Sequence, residues 1–389
     1  MTFSGVIGIG AVSQRSCHLS PASPMACSPV RGFMISRGML AITLSLFGVT
    51  ACFSQIPAPA RSGPGVQAPQ DEREPELLKT CKVPPPAVGR APGAAPGSGP
   101  VLEPIPREYT VEEIPGVIAR GKKWTLVWQS PGNNADGPIA TKDGGLLIAQ
   151  NDNSDVVKLD KNGKASIAFT DTNTGGALSR NTKGVLFLVS RGLNEAILEL
   201  EPQRKIFANR YQGDPLDCIG GALNDLVADS KGGVYFTIGG LFYANPQGEI
   251  TKYGENLRTN GIMLSPDEQT LYVTNGGTIV AFDVQRDGSL MKQRDFAKLE
   301  AGGNGDGSAI DSEGRLYVSS APGVQVIGRD GKYLGLIPTP RGISSMAFSG
   351  LDKRTLYVNS LIREGNPVKL RDELYKIQMI AQGYKGRAK

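Results

Sequence analysis

The sequence predicts an all-β fold: a six-bladed β-propeller preceded by a signal segment and a Pro-rich linker. Three observations lead there. A strand–turn–strand motif, clearest in TNGIMLSPDEQTLYVTN from Thr259, returns as LNDLVADSKGGVYFT from Leu223, GDGSAIDSEGRLYVSS from Gly305 and ISSMAFSGLDKRTLYVNS from Ile343. Looser copies start at Asp136 and Gly175, making six, and none is large enough to bury a core alone. The apolar residues after the turns, Leu146, Leu186, Val234, Leu271, Leu316 and Leu356, are spaced by 40, 48, 37, 45 and 40 residues. That mean of about 42 is the length of a four-stranded blade. Finally, the chain from Trp124 onward shows no convincing amphipathic helix, and its outer segments place NG, DG or QG where two-residue hairpins need them. A pair of β-sandwiches is the alternative architecture, and the regular spacing argues against it.

In chain order, residues 1–52 read as an export signal. Met39–Val49 is an eleven-residue apolar run behind Arg37, too short to span a bilayer and the right size for a signal core. Val49-Thr50-Ala51-Cys52 resembles a lipobox, so Cys52 would carry a lipid anchor, the only membrane contact expected; the alternative is a conventional signal peptide cut a little later. The expected location is therefore exported: periplasmic, envelope-bound or secreted. Residues 53–115 hold 14 of the 27 prolines and read as a Pro/Gly-rich disordered linker, with at most a helical turn at Asp71–Lys79. Residues 116–389 form the propeller. Trp124–Trp128 is its first clear strand, expected to pair with the last blade and close the ring.

Composition excludes several chemistries. The net charge of +5 falls to +2 without Arg15, Arg31 and Arg37, and no basic block suggests nucleic acid. The only histidine, His18, lies in the signal segment, which removes Ser–His–Asp and Cys–His nucleophiles and imidazole-dependent zinc sites from the mature chain. Cys81 and Cys218 remain either as a disulfide or as two unrelated thiols, and no spacing motif decides between them.

Ten residues before the six anchors stand Asp136, Gly176, Asn224, Asn260 (one residue further back), Asp306, and Ser345 or Met346. Equivalent positions of different blades converge on a propeller axis, so four oxygen-bearing side chains would share one cavity. Carboxylate and amide oxygens without sulfur or imidazole suit a hard divalent cation. The competing reading is that Asp136-Gly137, Asn260-Gly261 and Asp306-Gly307 are ordinary turn dipeptides. Their common register favours a site, because Asn162-Gly163, Asp287-Gly288 and Asp330-Gly331 fall instead where hairpins are expected.

LNDLVADSKGGVYFT, TNGIMLSPDEQTLYVTN, GDGSAIDSEGRLYVSS, GVQVIGRDGKYLGLIPTP and TLYVTNGGTIVAFDVQRDGSL resemble the senescence marker protein/gluconolactonase/luciferin-regenerating-enzyme-like (regucalcin-like) family, from about Trp124 to Lys376. The resemblance implies one divalent cation on the axis, Ca²⁺ first with Mg²⁺, Mn²⁺ or Zn²⁺ as alternatives, and hydrolysis of a small-molecule lactone. It implies Asp136, Asn260 and Asp306 as metal ligands, Asn224 as a further ligand or substrate contact, and Asp306 as the catalytic base. Departures are Asp136 where the family has Glu, Ala222 where sugar-lactone hydrolases carry Arg, and Gly305 in place of Pro. Asp225 and Arg191 are expected at the rim, solvated or structural. The alternative function is a non-catalytic exported binding module with a structural Ca²⁺; oligomeric state is not legible in the sequence.

Overall fold

The computed structural model describes residues 71–85, 105–131, 134–365 and 369–389. The segment read as a signal, with Cys52, lies outside them. Among the described residues no helix is long and apolar enough to cross a membrane.

Six four-stranded antiparallel sheets form the blades. From axis to rim, blade one is Ala135–Ala140, Leu146–Gln150, Asp155–Leu159 and Ala165–Phe169; blade two is Gly175–Arg180, Leu186–Ser190, Ala196–Glu201 and Lys205–Ala208. Blade three is Leu223–Ala228, Val234–Ile238, Leu241–Ala244 and Ile250–Tyr253, and blade four is Thr259–Leu264, Thr270–Asn275, Thr278–Val284 and Leu290–Lys298. Blade five is Ser308–Ile310, Leu316–Ser320, Gly323–Ile327 and Tyr333–Pro338. Blade six takes Ser345–Ser349, Thr355–Glu364 and Lys369–Gln378 from the end of the chain, and Thr125–Pro131 from its beginning as the outer strand. The inner strands touch in the order one to six, and six touches one, so the ring closes as expected.

Burial follows this layering. Second strands such as Leu146–Gln150 and Leu316–Ser320 are buried throughout, whereas outer strands such as Ala165–Phe169 are largely exposed. The apolar core is split into six clusters, one at each interface between neighbouring blades. This is the physical content of the repeat: a blade buries its faces only against its neighbours. The recurring turn after the inner strand is held by its first residue. Asp229 Oδ1 accepts the backbone N–H of Lys231, Gly232 and Gly233, and Asp311 Oδ1 accepts those of Glu313 and Arg315.

Two segments of the stretch read as linker pack on the propeller. Val111 and Ile114 join the core between blades five and six, and Arg107 N–H donates to the Pro340 carbonyl. Residues 71–85 contain the short helix Glu74–Leu78, and Cys81 is disulfide-bonded to Cys218. Cys218 belongs to the 3₁₀ turn Leu216–Ile219, in the connection that enters blade three just before Asn224. Beyond the last strand, residues 379–389 cross the lower face of the ring. Backbone hydrogen bonds tie Gly383 to Lys353, Tyr384 to Ile310, and Ala388 to Arg180 in both directions.

Candidate active site

Each inner strand of blades one to four carries one extra residue against its partner at the same height. The register shifts fall between Asp136 and Ile139, Gly175 and Leu178, Leu223 and Leu226, and Thr259 and Ile262. These are β-bulges, which re-aim side chains where they interrupt a ladder. Blade five departs similarly: Asp306 N–H donates to the Ser319 carbonyl and Ser319 N–H to that of Gly307. Blade six keeps a regular ladder at Ser345, without a bulge at this height.

The glycines of the Asx-Gly pairs have a packing role at the axis. A Cβ on Gly261 would lie 2.1 Å from the Asp306 carbonyl oxygen, and one on Gly137, whose φ is +49°, 2.5 Å from the Ala177 Cα. Neighbouring inner strands therefore approach through glycine while the Asx residue beside it stands at the axial register. The pairs at the other register are hairpin turns, as expected, with Gly163, Gly288 and Gly331 at φ of 83°, 90° and 85°.

The structure thus places Asp136, Asn224, Asn260 and Asp306 at one end of the inner-strand ring. Asn260 Oδ1 is buried without a hydrogen-bond partner among the described residues. Burial, then the negative charges of Asp136 and Asp225, push the Asp306 carboxyl up to about 8, opposed by the Arg191 guanidinium. Asp136 Oδ2 meets Arg191 Nη2 at 3.0 Å, and its Oδ1 accepts the Gly137 N–H at 2.8 Å. Arg191 also donates from Nε to the Leu223 carbonyl at 2.9 Å and from Nη2 to that of Asn224. Its guanidinium fits because position 176 is glycine: a Cβ there would sit 2.1 Å from the Arg191 Cζ.

Of the two readings given for Asp225 and Arg191 at the rim, solvated or structural, the structure shows the structural one. Asp225 is 6% exposed; its Oδ1 accepts the Leu226 N–H, its Oδ2 the Ile262 N–H, and Oδ2 lies 2.7 Å from Lys389 Nζ. The bulge at Leu223–Leu226 brings two consecutive polar residues to the axial region, a consequence invisible in a register count. Lys389 gave no sequence signal at all, since only the path of residues 379–389 brings it there.

The donor set fits a hard cation in part. An orphaned buried amide oxygen and a carboxyl pressed by two like charges are both relieved by a divalent ion. Among the described residues, however, no three Asp, Glu, His or Cys side chains gather as a chelate. The physical reason is visible: Asp136 is held by Arg191 and Asp225 by Lys389. A cation here would rest on Asp306 and amide oxygens and would share Asp136 with the guanidinium.

The comparisons with known proteins agree with this architecture. A gluconolactonase from Zymomonas mobilis is 26% identical over 276 residues, covering 58% of this chain and 76% of that protein. The lactonase drp35 of Staphylococcus saprophyticus is 29% identical over 188 residues, 42% of this chain and 56% of that one, so this match spans little more than half of the relative. In fold, the chain superposes on a gluconolactonase from Xanthomonas campestris (TM-score 0.58, 23% identity, 72% of this chain and 98% of the other). It also superposes on a calcium-binding regucalcin from Agrobacterium tumefaciens (TM-score 0.51, 18% identity, 66% and 95%). The model of the SMP-30/Gluconolactonase/LRE-like region matches residues 166–362, just over half of the chain and spanning blades two to five entirely. With six blades, an oxygen-lined axis and this match in agreement, the chain belongs to the SMP-30/gluconolactonase/LRE-like family.

Proposed function

We propose that this protein hydrolyses a lactone to its hydroxy acid at the upper end of the propeller axis, with one divalent cation, Ca²⁺ first, as cofactor. The observation that supports this most is the grouping of Asp306, Asp136 and the unpartnered Asn260 Oδ1 on one ring of bulges, in a chain whose relatives include lactonases. Asp136, Asn224, Asn260 and Asp306 would hold the ion, which supplies Lewis acidity to a lactone carbonyl and lowers the pKa of water.

The chain's own residues do the rest. Asp306 accepts a proton from the attacking water at its carboxylate, while the water oxygen forms the new bond to the carbonyl carbon. The ring C–O bond then breaks, and the leaving oxygen takes a proton to become the hydroxyl of the product. At about 8 the Asp306 carboxyl is mostly protonated near neutral pH, so it needs neighbouring positive charge to act as a base. Arg191, fixed by Asp136 and two backbone carbonyls, already limits the rise to that value, and the further positive charge would be that of the divalent ion. Asn224 would orient the substrate beside these groups.

The full-length protein, stripped with chelator, is titrated with Ca²⁺, Mg²⁺, Mn²⁺ and Zn²⁺ and assayed by pH-stat on five- and six-membered lactones. Cation-dependent acid release that disappears in Asp306→Asn, with melting within a few degrees of wild type, is the expected result. A cation-dependent melting temperature without acid release from any lactone would replace hydrolysis with the binding-module reading. We also propose export of the protein: the Cys81–Cys218 bond is of the kind that persists in oxidising compartments. Cys52 as a lipid anchor belongs to the same proposal, and its test is mass spectrometry of the mature N-terminus.

A further inference from the structure

Residues 379–389 are laced beneath blades six, five, four and two, and they deliver two cationic side chains into the lower end of the ring. Arg387 is 5% exposed and caps the end of blade four's inner strand, donating to the carbonyls of Leu264 and, at 3.0 Å, Ser265. Glu268 lies 3.5 Å from it. Ala388 forms a two-way backbone bridge with Arg180 at the end of blade two's inner strand. Between these supports Lys389 points inward. Its side chain is 7% exposed, and Nζ donates to the Ile262 carbonyl at 2.6 Å and pairs with Asp225 Oδ2 at 2.7 Å.

We propose that Lys389 is a tethered cation that sets how strongly the axis binds its divalent ion. It is a positioning residue, and the inference rests on the metal reading above. Asp136, Asp225 and Asp306 are close enough to act on one another's charge, and Arg191 and Lys389 are the cations opposing them. Each positive side chain set against these carboxylates offsets part of the negative potential that draws a divalent ion in. In a partly buried setting, where opposite charges interact several times more strongly than in water, changing that balance by one charge shifts affinity substantially. A mobile second cation below the first would be lost to dilution or chelation, whereas a lysine anchored by backbone bridges cannot leave. The Asp225 carboxylate, committed to two backbone N–H groups and this ammonium, is thereby removed from the metal's ligand field.

The test is calorimetric titration of Ca²⁺ into chelator-stripped full-length protein. Lys389→Met is expected to bind Ca²⁺ at least about tenfold more tightly than wild type, and Lys389→Arg close to wild type. Asp225→Asn, which leaves the ammonium unopposed, is expected to bind at least about tenfold more weakly, and Asp225→Asn/Lys389→Met to return near the wild-type value. Asp225→Asn keeps the proposal testable if Lys389→Met fails to fold. Equal affinity of wild type and Lys389→Met, or tighter binding by Asp225→Asn, overturns the inference and leaves the metal reading standing. Ca²⁺ uptake by Lys389→Met alone supports the tethered cation and removes the resident ion from the proposed function. No uptake by any form overturns both.

Discussion

Asp306 shows how much a single side chain's meaning depends on its neighbours. In sequence it is one Asp-Gly among several; in the fold it faces two other carboxylates, and its carboxyl rises from 3.8 to about 8. A carboxyl raised in the native state keeps a proton that the unfolded chain releases, so its contribution to stability is complete below pH 3.8 and is lost as pH climbs to about 8. In chelator, the melting temperature of Asp306→Asn is therefore expected to gain on wild type by several degrees between pH 5 and pH 8. Saturating Ca²⁺ should close that gap; a gap that is flat with pH would mean the carboxyl is not perturbed. Arg191 and Asp225 make the same point from the other side. The sequence left both open as solvated or structural; in the fold Asp225 is buried and Arg191 half-buried, because a bulge at 223–226 and glycine at 176 leave room for them.

At the scale of the element, the bulged inner strand is the device that matters. A regular strand would send alternate residues to opposite faces, and the polar register would be divided between axis and core. The inserted residue lets Asx at the bulge and Ile139, Leu178, Leu226 or Ile262 beyond it each keep the correct environment; all four of those apolar residues are fully buried. The connection into blade three is a second such element, stapled by Cys81 and Cys218 across a sequence separation of 137 residues. Closing a loop of that length restricts the unfolded chain, so Cys81→Ser is expected to cost about 2–4 kcal/mol and to lower the melting temperature by several degrees. Wild type treated with reductant should fall to the variant's melting temperature, and a variant that melts with oxidised wild type would contradict this.

For the whole molecule, stability depends on ring closure. Thr125–Pro131 supplies the outer strand of blade six, and Trp124 leads into it with its indole N–H on the Pro338 carbonyl at 2.8 Å and its backbone N–H on the Tyr109 hydroxyl at 3.0 Å. Trp124 is 8% exposed and sits in the cluster between blades five and six with Val111, Ile114 and Ile337. Trp124→Ala is expected to cost about 3–5 kcal/mol and on the order of ten degrees of melting temperature, with aggregation on heating as the blade-six edge is freed. Unchanged melting would show that closure does not depend on this anchor.

Six repeats at a mean spacing of about 42 residues, the outer hairpins and the closing strand were legible in the sequence because each is local chemistry: alternating burial, Asx-held turns and glycines at positive φ. The register that brings Asp136, Asn224, Asn260 and Asp306 to one end of the ring was legible for the same reason, as a periodic property of the repeats. Charge balance at that end was not, because it is set by groups with no fixed sequence relation to the register. Arg191 arrives from just beyond the second strand of blade two through the space left at Gly176, and Lys389 arrives from beneath the ring on a segment outside every repeat. Composition and periodicity determine which residues belong to the axis, and only the tertiary path of the chain decides which cations meet them there.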